Sequence, residues 1–277
     1  MDDSTILETQ DLRKAFGGLV AVAGVSMKVQ AHTLHTIIGP NGAGKTTFFN
    51  LLSGNIRPTS GRVLFKGQDI TDRPAHRRAH LGIGRSFQIT NVFPNLTVLE
   101  NVRLAAQAVG ADSYKFWQHH RHFRQYEEQA AVIVAQVGLA GQSALPARLL
   151  PHGGKRKLEL GILLAADPDL LLLDEPTAGM AREEIPMLME VIQSIRAAGN
   201  KTIILVEHKM DLVMNVSDRI SVMHQGALLA EGTPLEIAGN KMVQAAYLGD
   251  LYGDLTGQAG ERGSRGAGEA ESRSVGR

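Results

Sequence analysis

Residues 39–46 read Gly39-Pro40-Asn41-Gly42-Ala43-Gly44-Lys45-Thr46 and fit G-x-x-x-x-G-K-[ST], a loop whose backbone N–H groups surround a chain of phosphates. Its three glycines allow close approach to an anion and dihedrals that other residues avoid. Lys45 is placed to reach the β- and γ-phosphates, and the Thr46 hydroxyl to ligate Mg²⁺. Leu34, Thr36, Ile37 and Ile38 read as a buried strand entering the loop. Thr47 to Leu52 read as the first turns of a helix whose positive end faces the phosphates.

Working outward, the 277 residues suffice for one large domain or two small ones. With 29 basic and 28 acidic residues the net charge is +1, which gives a nucleic-acid partner no support. No run of 18 or more residues is uniformly apolar, so no membrane-spanning helix is expected. Met1-Asp2-Asp3-Ser4 is acidic and polar, unlike a secretory leader, and the cytosol is the expected compartment. The chain has no cysteine, which excludes disulfides and thiolate metal sites.

Alternation in the first thirty-odd residues predicts a small antiparallel sheet, to which Val63 to Gly67 add a strand and turn. Strands then alternate with helical patterns, as in an α/β domain. Leu170 to Leu173 read as a parallel strand covered on both faces, and Thr202 to Val206 as another. Ile185 to Ile195 repeat at helical spacing, with a stop at Gly199-Asn200. Ile220 to Met223 and Ala227 to Ala230 read as a hairpin. Residues from about 97 to 150 read as a helical insertion. The segment from Asp254 onward, rich in Gly, Ser, Arg and Glu, is expected to be a disordered tail.

A phosphate loop alone says only nucleotide or phosphate binding. Leu170-Leu171-Leu172-Leu173-Asp174-Glu175 narrows it, because ligands of an open parallel sheet sit beyond the carboxyl ends of its strands. Asp174 is expected in the Mg²⁺ shell, directly or through water, and Glu175 where a base orients an attacking water. His208 follows the strand Thr202–Glu207 and falls at the same edge. Gln88, after a short apolar segment, is placed to approach both Mg²⁺ and the water.

These elements in this order resemble the ATP-binding-cassette (ABC) ATPases, over almost the whole chain to about Gly249. The resemblance implies an α/β fold with a P-loop NTPase core, a small antiparallel β subdomain and a helical subdomain at about 93–165, the whole domain spanning 1–253. It implies that Gly39, Asn41, Gly42, Ala43, Gly44, Lys45, Thr46 and Thr47 form the Walker A nucleotide cradle, and that 170–175 are the Walker B strand with its glutamate. Gln88 resembles the Q-loop glutamine and His208 the switch histidine, so catalysis would rest on Glu175, His208, Lys45 and Gln88, with Thr46, Gln88 and Asp174 toward the metal. Phe16 falls where the family sets an aromatic ring against adenine. The cofactors implied are ATP and Mg²⁺.

Gly82 to Gln88, Val92 to Val102, Val206-Glu207-His208-Lys209-Met210 and Ala246-Tyr247-Leu248-Gly249 are similar to a narrower group, the branched-chain amino acid and urea or amide importer subunits. That likeness implies membrane permease subunits and a second ABC ATPase as partners, a solute-binding protein as an indirect one, and a peripheral place on the cytoplasmic face of the plasma membrane. The basic run Arg73, His76, Arg77, Arg78 and His80 is read as a solvated helix face. His119, His120 and His122, beside Trp117, lack the spacing of a helical metal pair.

Two positions depart from the family pattern. Where it carries Leu-Ser-Gly-Gly-Gln, this chain has Leu150-Pro151-His152-Gly153-Gly154, and Pro151 offers neither hydroxyl nor N–H. Ala181 stands where the family has Asp or Asn. Both belong to the surface that, by the resemblance, meets ATP held by the opposite subunit, so unequal ATP sites are expected. A guanine-reading N-K-x-D is missing at Asn240-Lys241-Met242-Val243, and the segment between the nucleotide motifs is too short for the long heptad insertion of a DNA-repair ABC ATPase.

Overall fold

The computed structural model describes residues 5–86, 92–109 and 124–247. The chain opens with two long strands, β1 (Thr5–Phe16) and β2 (Leu19–Gln30), joined by a two-residue turn at Gly17-Gly18. With β4 (Ser60–Phe65) and β5 (Gln68–Asp69) they form an antiparallel sheet in the order β2-β1-β4-β5. Gly61 lets β4 close on β1: it has φ +86°, and a Cβ there would stand 2.3 Å from the Asp11 carbonyl oxygen.

A second sheet follows the order β10-β9-β3-β8-β7-β6. Its centre is β3 (Leu34–Ile38), β8 (Thr202–Val206) and β7 (Leu170–Asp174), mutually parallel with all fifteen residues buried. This is the composition of strands covered on both faces. β6 (Ile83–Arg85) extends it parallel on one side, and β9 (Arg219–His224) pairs parallel with β3 on the other. β10 (Ala227–Gly232) returns antiparallel through Gln225-Gly226, as the hairpin reading expected.

The helices are α1 (Lys45–Ser53), α2 (Ala75–His80), α3 (Val98–Val109), α4 (Arg124–Gln136), α5 (His152–Ala165), α6 (Ile185–Ala197), α7 (Met210–Val216) and α8 (Pro234–Ala238). α3, α4 and α5 pack on one another through Val98, Val102, Ala130, Val134 and Leu158. Between α4 and α5 the chain makes two short 3₁₀ turns, and Thr97 bridges to Pro146. α1 packs Phe48, Phe49, Leu51 and Leu52 between the two sheets. No helix among the described residues is long and apolar enough to cross a membrane.

The basic run on α2 departs from a solvated face at one residue. Arg78 is buried, and its guanidinium donates to the carbonyls of Leu51, Leu52, Arg73 and Thr71 at 2.7–3.0 Å. It thereby satisfies the Leu52 carbonyl at the end of α1 and adds to the Gly54 N–H on that of Leu51. Arg78→Ala strands buried acceptors worth about 1–3 kcal/mol each, so a loss of at least about 3 kcal/mol is expected in chemical denaturation.

His35, on β3, is also buried, with Nε2 2.8 Å from the Ser221 hydroxyl. Burial lowers its pKa to about 4, with Glu231 opposing and Arg219 adding to the shift. The fold thus holds the neutral ring, while the unfolded chain takes up a proton near pH 6.5. Stability from this group is complete above about pH 6.5 and declines as pH falls toward about 4, by about 3 kcal/mol in all. Denaturation curves of His35→Asn are expected to be flatter over this range than those of the wild type.

Candidate nucleotide-binding and catalytic site

Strand register decides where the candidate residues meet. Ile37 on β3 and Asp174 on β7 both pair with Val206 on β8, so the three strands end level. The next residues of each are the loop 39–46, Glu175 and the dipeptide Glu207-His208. Three stretches spread over more than 160 positions in sequence thus share one carboxyl edge, the place where an open α/β sheet binds ligands.

The loop is closely walled. A Cβ on Gly39 (φ +154°) would lie 2.2 Å from the Met223 carbonyl oxygen, and one on Gly44 (φ +93°) 2.3 Å from that of Ala21. Gly226 donates to the Ala43 carbonyl and accepts from Ala23, which ties the loop to the β9–β10 turn and to β2. The N–H groups of Gly42, Gly44, Lys45 and Thr46 have no hydrogen-bond partner among the described residues. Together with the start of α1 they make a ring of free donors suited to an anion. Asn41 and Thr46 are exposed, Thr47 is half-buried, and Ala43 is buried under the loop.

Lys45 is buried, and its Nζ donates to the carbonyls of Gly39 at 2.6 Å and Pro40 at 2.8 Å. The side chain therefore braces the loop it belongs to. Burial lowers its pKa, against which the nearby carboxylates of Glu175 and Asp174 act.

The Asp174 side chain is fully buried. Its Oδ2 faces the Arg85 guanidinium at 3.5 Å, and its N–H donates to the Ser86 hydroxyl. Arg85 also donates to Asn50 and Ser53 on α1 at 2.7 and 2.6 Å, so β6, β7 and α1 are cross-linked behind the loop. Burial raises the pKa of Asp174, with Arg85 opposing and Glu175 adding to the rise. Oδ1 has no hydrogen-bond partner among the described residues. A buried carboxylate oxygen left without a donor is suited to a metal ion or to water on that ion. Thr46 supplies an exposed hydroxyl at the same edge. Among the described residues no three His, Cys, Asp or Glu side chains cluster as a metal cage.

Glu175 lies in the left-handed region, with φ +48°. A non-glycine residue pays about 1–3 kcal/mol for such a backbone, and such outliers gather at functional sites. Its N–H donates to the Val206 carbonyl, and its Oε1 lies 2.5 Å from His208 Nε2. The structure therefore brings Glu175 and His208 into direct contact.

Phe16 is half-exposed at the end of β1, opposite Leu19 across the hairpin, with Lys14 Nζ 5.0 Å from its ring centre. From there β2 runs to Ala21, the residue walled against Gly44. Gln88 lies outside the described residues, as do His119, His120, His122, Trp117 and the segment from 254.

On the departing surface, Pro151 precedes α5 with φ −63° and makes no side-chain cap. The N–H of Gly153 is instead taken by Glu184 Oε1 at 3.2 Å. Ala181 is exposed nearby on the connection to α6. Glu184 and Glu207 are two residues sequence reasoning did not single out. For Glu207 the available signal was a carboxylate directly after a five-residue apolar strand.

The model of the family described as ABC transporter matches residues 22–178. The high-affinity branched-chain amino acid transport ATP-binding protein BraF of Pseudomonas aeruginosa is 40% identical over 88% of this chain and 98% of its own length. LivG of Escherichia coli K12, described in the same words, is 38% identical over the same shares. The crystal structure of the ADP conformation of an ATP-binding cassette of an ABC transporter superposes with a TM-score of 0.75 at 28% identity, over 88% of this chain and 99% of that one. A dimeric cassette bound to ADP and phosphate, at 22% identity, shares the fold with a TM-score of 0.69 over 83% of this chain and 99% of that one.

Proposed function

This chain belongs to the ABC transporter family, and from that premise we propose that it is the ATP-hydrolysing subunit of an importer for branched-chain amino acids. The observation that carries the reading is the common edge of β3, β8 and β7, which sets a phosphate-shaped loop beside Asp174 and the Glu175–His208 contact.

The chain's own residues divide the work as follows. The free N–H groups of the loop receive the β- and γ-phosphates, and Lys45 places a positive charge where negative charge develops. Asp174 and the Thr46 hydroxyl, with Gln88, form the protein side of the Mg²⁺ shell. Bound there, Mg²⁺ would supply positive charge against the negative charge that builds on the phosphates. Glu175 orients the attacking water and accepts its proton, while His208 holds that carboxylate and senses the γ-phosphate. Phe16 stacks on the adenine, worth about 1–3 kcal/mol by analogy with other base-on-aromatic contacts.

The subunit works on the cytoplasmic face of the plasma membrane, against permease subunits and paired head-to-tail with a second cassette. Its two ATP sites are unequal. The site completed by this chain's own α5 lacks the serine hydroxyl and one N–H at Pro151, and finds the Gly153 N–H already engaged by Glu184. At about 1.5–3 kcal/mol for a charge-assisted bond, each such loss weakens that site about ten- to hundredfold.

The test is uptake by the reconstituted transporter with its solute-binding protein. ATP-dependent uptake of leucine, isoleucine and valine is expected, abolished by Lys45→Ala. Uptake of urea or short amides instead would transfer the chain to that importer class, and ATP turnover with neither would overturn the reading.

A further inference from the structure

Glu207 stands between the two loops that carry Glu175 and His208. It is buried at the end of β8, 2% exposed, and its carboxylate takes three hydrogen bonds. Oε1 accepts from the Thr177 hydroxyl at 2.7 Å and from the Thr177 N–H at 3.2 Å, and Oε2 accepts from the His208 N–H at 3.2 Å. One carboxylate thus grips the turn Glu175-Pro176-Thr177 with one oxygen and the His208 backbone with the other. Thr177 is itself buried, and beyond it the chain emerges as the exposed run Ala178-Gly179 toward Ala181.

We propose that Glu207 is a positioning residue for hydrolysis: it fixes the turn after Glu175 against the backbone of His208, and so sets the contact between those two side chains. The inference rests on the reading of Glu175 and His208 as the hydrolytic pair. Glu175 is in the left-handed region, and His208 lies two residues beyond the end of its strand. A clamp that joins them also ties the site to the 178–181 surface, so a displacement of that surface moves Glu175 and His208 together.

The test uses the complete transporter with Glu207→Ala, Glu207→Gln and Thr177→Val. Glu207→Ala is expected to lower kcat about tenfold or more, since misplacing a reacting group by an ångström costs up to about a hundredfold, with KM for ATP within about twofold. Glutamine keeps an acceptor for Thr177 but turns an N–H toward that of His208, so Glu207→Gln should retain more activity than alanine. Thr177→Val should fall between Glu207→Ala and the wild type. In a His208→Ala background, Glu207→Ala should cost less than about threefold further, because its target is gone. Wild-type kcat in Glu207→Gln and Thr177→Val, a KM that rises as kcat falls, or full multiplicative losses with His208→Ala would each overturn the proposal. If Glu207→Ala does not fold, the other two variants decide it. Wild-type turnover in Glu175→Gln and His208→Ala would instead refute the hydrolytic pair itself.

Discussion

Glu175→Gln in this chain is expected to bind ATP and release almost no phosphate. The amide is the same size and can stay beside His208, and it tolerates the left-handed backbone no worse than the acid, so the fold should be unaffected. What disappears is the group that accepts the proton of the attacking water. A general base contributes about 10²–10⁴-fold, and turnover at this site should fall by at least about a hundredfold. Affinity for ATP should be unchanged or higher, because a negative charge beside the triphosphate has gone. Phosphate release in a single turnover, beside equilibrium nucleotide binding, separates the two effects. Weakened binding with an unchanged rate for bound ATP would show that Glu175 supports the nucleotide rather than the water.

Lys45→Ala is expected to weaken ATP binding sharply, besides removing the charge that meets the one developing in the chemical step. Nζ braces the carbonyls of Gly39 and Pro40 from inside the loop, and it is the cation set against the neighbouring Asp174 and Glu175. Without it, the triphosphate meets two carboxylates uncompensated. Two charge-assisted contacts at about 1.5–3 kcal/mol each correspond to at least about a hundredfold in affinity. Lys45→Arg should rescue little, because a planar fork does not fit a point donor's place between two carbonyls. Titration calorimetry reads both variants, and near-native affinity in Lys45→Ala would contradict the proposed role.

The parts of the fold that rest on local pattern were legible in the sequence. The four leucines before Asp174, the apolar run 202–206 and the strand into Gly39 have no polar alternation because both faces are covered, and each forms the strand expected. The glycines of the loop were legible because close backbone approach leaves few alternatives, which Gly39 and Gly44 illustrate against Met223 and Ala21. Interactions that depend on distant chain were not legible. Arg78 looks like one charge in a basic helix until α1 is seen to end against it. Glu207 and Thr177 are thirty residues apart, and nothing local indicates that one grips the other. The same holds for Glu184 on Gly153, which adds to what Pro151 alone implied.

Phosphate release from the complete transporter, with the catalytic glutamate replaced by glutamine in one cassette at a time, tests the account most directly. Glu175→Gln in this chain should bring release close to background, and the same change in the partner subunit should leave more than half of it. Undiminished release from the Glu175→Gln complex would contradict hydrolysis by this chain, and equal losses from the two replacements would contradict unequal sites.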